Sequence, residues 1–73
     1  MQARKVLEQE FRVVTGRELT DMAVDVFGLG LDSLGILSLL GGLREAGYDV
    51  SLDDLLSAAS MNEFVLTMTD AAA

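Results

Sequence analysis

The sequence predicts an all-α fold: a small four-helix bundle with a short third helix and a long loop between the first and second helices. Three observations predict it. Apolar residues recur at spacings of three and four along separate segments. Asp or Ser stands ahead of three of these segments as a cap, and Gly stands after two of them as a stop. No segment reads as a strand.

From Ala3, apolar residues fall at Val6, Leu7, Phe11 and Val14, which is one helix face, and Gly16 supplies the left-handed residue that ends it. Arg17 to Leu31 then forms a long connection of mixed polarity with two glycines near its end. A loop of this length is unusual in so small a domain and is often functional. Phe27 is expected to tuck beneath it as an anchor, and Thr20-Asp21 to start a single turn.

The second helix begins at Ser33, with Asp32 as N-cap. Leu37, Leu40 and Leu43 make its inward stripe, flanked by Ile36 and Leu39. Gly35, Gly41 and Gly42 oppose a helix by about 1 kcal/mol each relative to alanine. The regular stripe and the stop at Gly47 outweigh them, and the glycines allow close approach by another backbone. Tyr48 to Leu52 is a short extended connection. Ser51 with Asp54 resembles a capping box for a brief helix carrying Leu55 and Leu56. Ser60 with Glu63 is the better box, and its helix places Met61, Phe64, Val65 and Met68 on one face.

The composition allows one domain, residues 1–73, with residues 71–73 as a frayed tail. A chain of 73 residues has a thin core, because so small a domain buries only about 60% of its unfolded surface. No cysteine and no histidine occur, which removes disulfides, thiolate metal sites and the usual general base. Asp21, Asp25 and Asp32 lack the alternating spacing of a calcium-binding loop, so no metal site is expected. Twelve acidic residues against five basic ones argue against nucleic acid and favour partners with positive surfaces. No signal peptide and no membrane-spanning run is present, so the expected location is cytoplasmic and the expected state a monomer. Met1 and the length suit a free-standing protein, and a piece cut from a larger chain is the alternative.

Ser33 admits three readings. As a structural residue, it simply opens a helix after a capping Asp. As a catalytic nucleophile it lacks a base: Lys5 is the only lysine, and no G-x-S-x-G surrounds it, so no catalytic residue is expected. As a substrate of another enzyme it needs only exposure. An anionic phosphodiester there meets the free N–H groups and the positive dipole end of the helix.

The motif Asp25-x-Phe27-x-x-Gly30-x-Asp32-Ser33-Leu34 resembles the signature of phosphopantetheine-bearing carrier proteins, the acyl and peptidyl carriers. Leu43-Arg44-Glu45 and Gly47-x-x-Val50-Ser51-Leu52-x-Asp54-Leu55 are similar to the end of the second helix and the following loop in peptidyl carriers. Ser60-Met61-Asn62-Glu63-Phe64 sits where that family's fourth helix begins, so the likeness runs from about Glu10 to Met68. It implies an acyl-carrier-protein-like bundle and no enzyme activity. It implies 4'-phosphopantetheine attached covalently to Ser33 by a phosphopantetheinyl transferase, with acyl or aminoacyl cargo held as a thioester. Asp32 is implied as helix cap and transferase recognition residue. Leu34 is implied as a partner contact, with a place in the core as its alternative. The implied partners are an adenylating or acyl-loading enzyme and downstream condensation, ketosynthase or tailoring enzymes.

Two departures narrow the resemblance. The second-helix surface carries Gly35, Ser38, Gly41, Gly42, Arg44 and Glu45, less acidic than in carriers of fatty acid synthesis. Leu31 stands where peptidyl carriers have a second glycine. The first suggests apolar, shape-based contacts and a carrier of nonribosomal peptide or polyketide biosynthesis; the second makes Gly30-Leu31-Asp32-Ser33-Leu34 more like acyl carriers. The rival function is a non-enzymatic helical docking or adaptor module in which Ser33 only caps. Leu37→Ala and Leu40→Ala are each expected to cost about 2–5 kcal/mol as core truncations.

Overall fold

The first apolar stripe becomes α1, Gln2–Thr15, in the computed structural model, which describes residues 2–70. The tail 71–73 lies outside the described residues. Ala3, Leu7 and Phe11 are buried along α1. Gly16 ends the helix at φ 74°, its N–H donating to the Arg12 carbonyl over 2.8 Å.

The connection that follows has no regular structure but is well tied. The Asp21 carboxylate accepts the Ala23 N–H at 3.0 Å, forming the single turn expected near Thr20-Asp21. The Met22 and Val24 carbonyls accept the Asn62 and Met61 N–H groups at 3.0 and 2.8 Å. Leu19, Met22, Val26 and Leu31 are buried beneath the loop. Phe27 is not the anchor the sequence suggested. It is 58% exposed, and its neighbour Val26 is fully buried. The carbonyl bonds to residues 61 and 62 fix the register of the loop, and that register sends Val26 inward.

α2 spans Ser33–Glu45. Its buried residues are Ile36, Leu39, Leu40 and Leu43, an i, i+3, i+4, i+7 set. Leu37 is therefore misplaced in the expected stripe: it is 53% exposed. It lies about 100° round the helix from Ile36, outside the arc that faces α1. Gly47 at φ 101° stops the chain beyond α2, donating to the Arg44 carbonyl at 3.0 Å.

Tyr48–Asp49 forms β1, which pairs antiparallel with β2, Thr69–Asp70. Among the described residues this two-residue ladder is the one departure from an all-helical reading; strands so short carry no detectable alternation. α3, Leu52–Ser57, opens with the reciprocal box: Ser51 Oγ accepts the Asp54 N–H, and Asp54 Oδ2 accepts the Ser51 N–H. α4, Met61–Thr67, is capped by Ser60 Oγ, which accepts the Glu63 N–H at 3.1 Å. The reciprocal bond from Glu63 is absent among the described residues, so the fuller box is the one at Ser51. The loop carbonyls of Met22 and Val24 already serve the first amides of α4. One core joins Leu7 and Phe11 of α1 to the α2 stripe, to Leu55 of α3 and to Met61 and Phe64 of α4.

Candidate functional site

The loop meets α2 at Asp32, whose extended backbone (φ −91°, ψ −179°) turns the chain into the helix. Its Oδ1 accepts the Gly35 N–H at 2.8 Å, and its carbonyl accepts the Ile36 N–H at 2.9 Å. The N–H groups of Ser33 and Leu34 meet no acceptor among the described residues. They leave the α2 N-terminus able to bind a negative group, reinforced by the helix dipole.

Ser33 is the first helical residue and is exposed. Its hydroxyl makes no hydrogen bond to any described residue. Leu34 is 74% exposed, which excludes its alternative place in the core.

Beside Ser33 lies a largely apolar cleft of about 250 Å³, lined by Phe27, Ser33, Ile36, Leu37, Leu52 and Leu56. Sequence reading assigned Phe27 and Leu37 to the interior and gave Leu52 no role. A signal for Leu37 existed in α2, where the apolar residues at positions 34, 36, 37, 39, 40 and 43 exceed one face of a helix. Among the described residues, no cluster of three His, Cys, Asp or Glu side chains can hold a metal ion. No helix among them is long and apolar enough to cross a membrane.

A family model described as the phosphopantetheine attachment site matches residues 5–67. The chain belongs to this family. Carriers of this family bear 4'-phosphopantetheine covalently and catalyse nothing themselves. The carrier is also similar to two curated relatives. It is 33% identical over 67 residues, 89% of this chain, to the nonribosomal peptide synthetase dtpA of Aspergillus flavus. It is 37% identical over 43 residues, 59% of this chain, to the nonribosomal peptide synthetase sidC of Arthroderma benhamiae. The carrier spans only 3% and 1% of the length of these relatives. No solved structure matches it.

Proposed function

We propose that Ser33 Oγ bears the 4'-phosphopantetheine arm and that the carrier serves nonribosomal peptide synthesis. The exposed, unpartnered Ser33 hydroxyl at the start of α2 carries this reading. The residues present suit the group. A phosphodiester on Ser33 would sit against the free Ser33 and Leu34 N–H groups, at the positive end of the helix dipole. The arm supplies a terminal thiol on which aminoacyl or acyl cargo is held as a thioester.

This chain's own residues position the handle. Asp32 caps α2 through Gly35 and fixes the direction of the serine. It also stands beside Ser33, where the transferase must recognise the site. Leu34, exposed immediately after Ser33, offers an apolar contact to partner enzymes. Phe27, Leu37, Leu52 and Leu56 surround the cleft beside it. A tethered cargo then meets each neighbouring active site at an effective concentration on the order of mM. The names of both relatives favour a peptide synthetase over a polyketide pathway, with adenylating and condensation enzymes as partners. The setting is the cytoplasm, where coenzyme A and the transferase meet.

Incubation of the apo protein with coenzyme A and a broad-specificity transferase tests the assignment by intact mass. The wild type gains one phosphopantetheine group. Ser33→Ala gains none and keeps its helical circular dichroism, because Asp32 still caps α2. No gain with any transferase would overturn the proposal in favour of the adaptor module. A gain that persists in Ser33→Ala would move the attachment to another hydroxyl.

A further inference from the structure

The geometry points to Arg17 as a positioning residue for modification of Ser33, acting through the Leu29 carbonyl. This inference rests on the assignment of Ser33 as the attachment site. Arg17 follows the stop at Gly16 and is exposed. Its side chain folds back over α1, with the guanidinium carbon 5.7 Å from the centre of the buried Phe11 ring. From there Nη2 donates to the Leu29 carbonyl at 3.0 Å.

The place of that bond gives it a role. Residues 25–30 are otherwise held by bonds among themselves. Asp25 Oδ1 accepts the Gly28 N–H at 2.7 Å, the Asp25 carbonyl accepts the Leu29 N–H at 3.2 Å, and the Phe27 carbonyl accepts the Gly30 N–H at 3.0 Å. Among the described residues, Arg17, at the start of the same connection, makes the one hydrogen bond that reaches this local knot from outside it, beside the packing of Val26 in the core. The next residue, Gly30, sits at φ 83°, a position with many alternative conformations open to glycine. Two residues later the chain reaches Asp32 and Ser33. Arg17 thus removes freedom at the pivot just before the modified serine. It touches neither the hydroxyl nor the α2 amides.

The expected effect follows from that indirect position. A transferase docks on the fraction of molecules whose loop is already in place, so its apparent affinity falls as that fraction falls. Once docked, the complex holds the loop itself and the chemical step is unchanged. One net hydrogen bond is equivalent to about a two- to tenfold change in the ratio of placed to displaced loop, which sets the upper limit of the change in the placed fraction.

Steady-state modification by coenzyme A and a broad-specificity transferase, measured for wild type, Arg17→Met and Arg17→Lys, provides the test. Methionine keeps an unbranched stem over Phe11 without a donor, whereas lysine keeps a donor for the carbonyl. Arg17→Met is expected to raise the KM for the carrier, by up to about tenfold, with kcat unchanged, and Arg17→Lys to recover most of the loss. The amide nitrogen of Gly30 shares its peptide unit with the Leu29 carbonyl, so its NMR shift should move in Arg17→Met and return in Arg17→Lys. An unchanged KM in Arg17→Met, or a lower melting temperature with KM unmoved, overturns the inference. A raised KM without the Gly30 shift makes Arg17 a direct contact to the transferase and overturns it too. Failure of the wild type to be modified sinks the Ser33 assignment itself; a modified wild type with unmoved Arg17→Met constants sinks this inference alone.

Discussion

Truncating Leu40 and Leu37 to alanine, one at a time, tests how α2 is rotated about its axis. The two residues are one turn apart and chemically identical. Leu40 is 5% exposed and packs in the core, whereas Leu37 is 53% exposed on the cleft. Leu40→Ala loses the transfer energy of the removed carbons and leaves a cavity, for a cost of about 2–5 kcal/mol. In a domain of this size each kcal/mol shifts the melting temperature by about 4–8 °C, so a fall of at least about 8 °C is expected. Full burial of a leucine side chain is worth about 1.5–3 kcal/mol, and Leu37 has withdrawn only about half of its surface. Its truncation opens no closed cavity, since the cleft already faces solvent. A cost of about 1 kcal/mol follows, with a shift of a few degrees. Thermal melts followed by far-UV circular dichroism read both. Equal falls for the two variants, or a larger fall for Leu37→Ala, would refute the rotation of α2 and return Leu37 to the core.

Two further expectations concern the same helix. Asp32→Ala should cost about 0.5–2 kcal/mol in urea unfolding through loss of the bond to the Gly35 N–H, with Asp32→Asn retaining most of the stability. Gly41→Ala should raise stability by about 0.5–1 kcal/mol in the same assay, since an added methyl meets nothing within 4 Å. Gly42→Ala should gain less, because its methyl would meet the Glu10 carboxylate, which must swing aside.

The caps and stops of this fold were legible because they are local. Asp32, Ser51 and Ser60 each bond an N–H three residues on, and Gly16 and Gly47 adopt the left-handed turns their positions suggest. Those interactions depend only on residues a few positions apart. The candidate handle was legible for the same reason, since Asp-Ser at a helix start is a local pattern. Val26 and Phe27 were not separable, because which neighbour turns inward is decided by the Met61 and Asn62 amides, more than thirty positions away. The β1–β2 ladder was hidden for a similar reason, joining Tyr48–Asp49 to Thr69–Asp70 across α3 and α4. Arg17 drew no notice because its partner is a backbone carbonyl, which any residue at position 29 would supply.

The phase of α2 failed for a more instructive reason. A helix with one buried face has an apolar arc and a polar remainder, and the centre of the arc is easily found. α2 has two apolar arcs. Ile36, Leu39, Leu40 and Leu43 face the core, while Leu34 and Leu37 stand exposed at the end that bears Ser33. Averaging over both arcs displaces the apparent centre toward Leu37. The surplus is therefore information rather than noise. A core explains four of these residues; the others need a reason to remain in water. Phe27, Leu52 and Leu56 join them as exposed apolar side chains on neighbouring segments. An apolar patch on so small a protein invites self-association, and the net charge of −7 opposes it by keeping copies apart. The chain thereby keeps an apolar patch beside Ser33 in water while its copies repel one another.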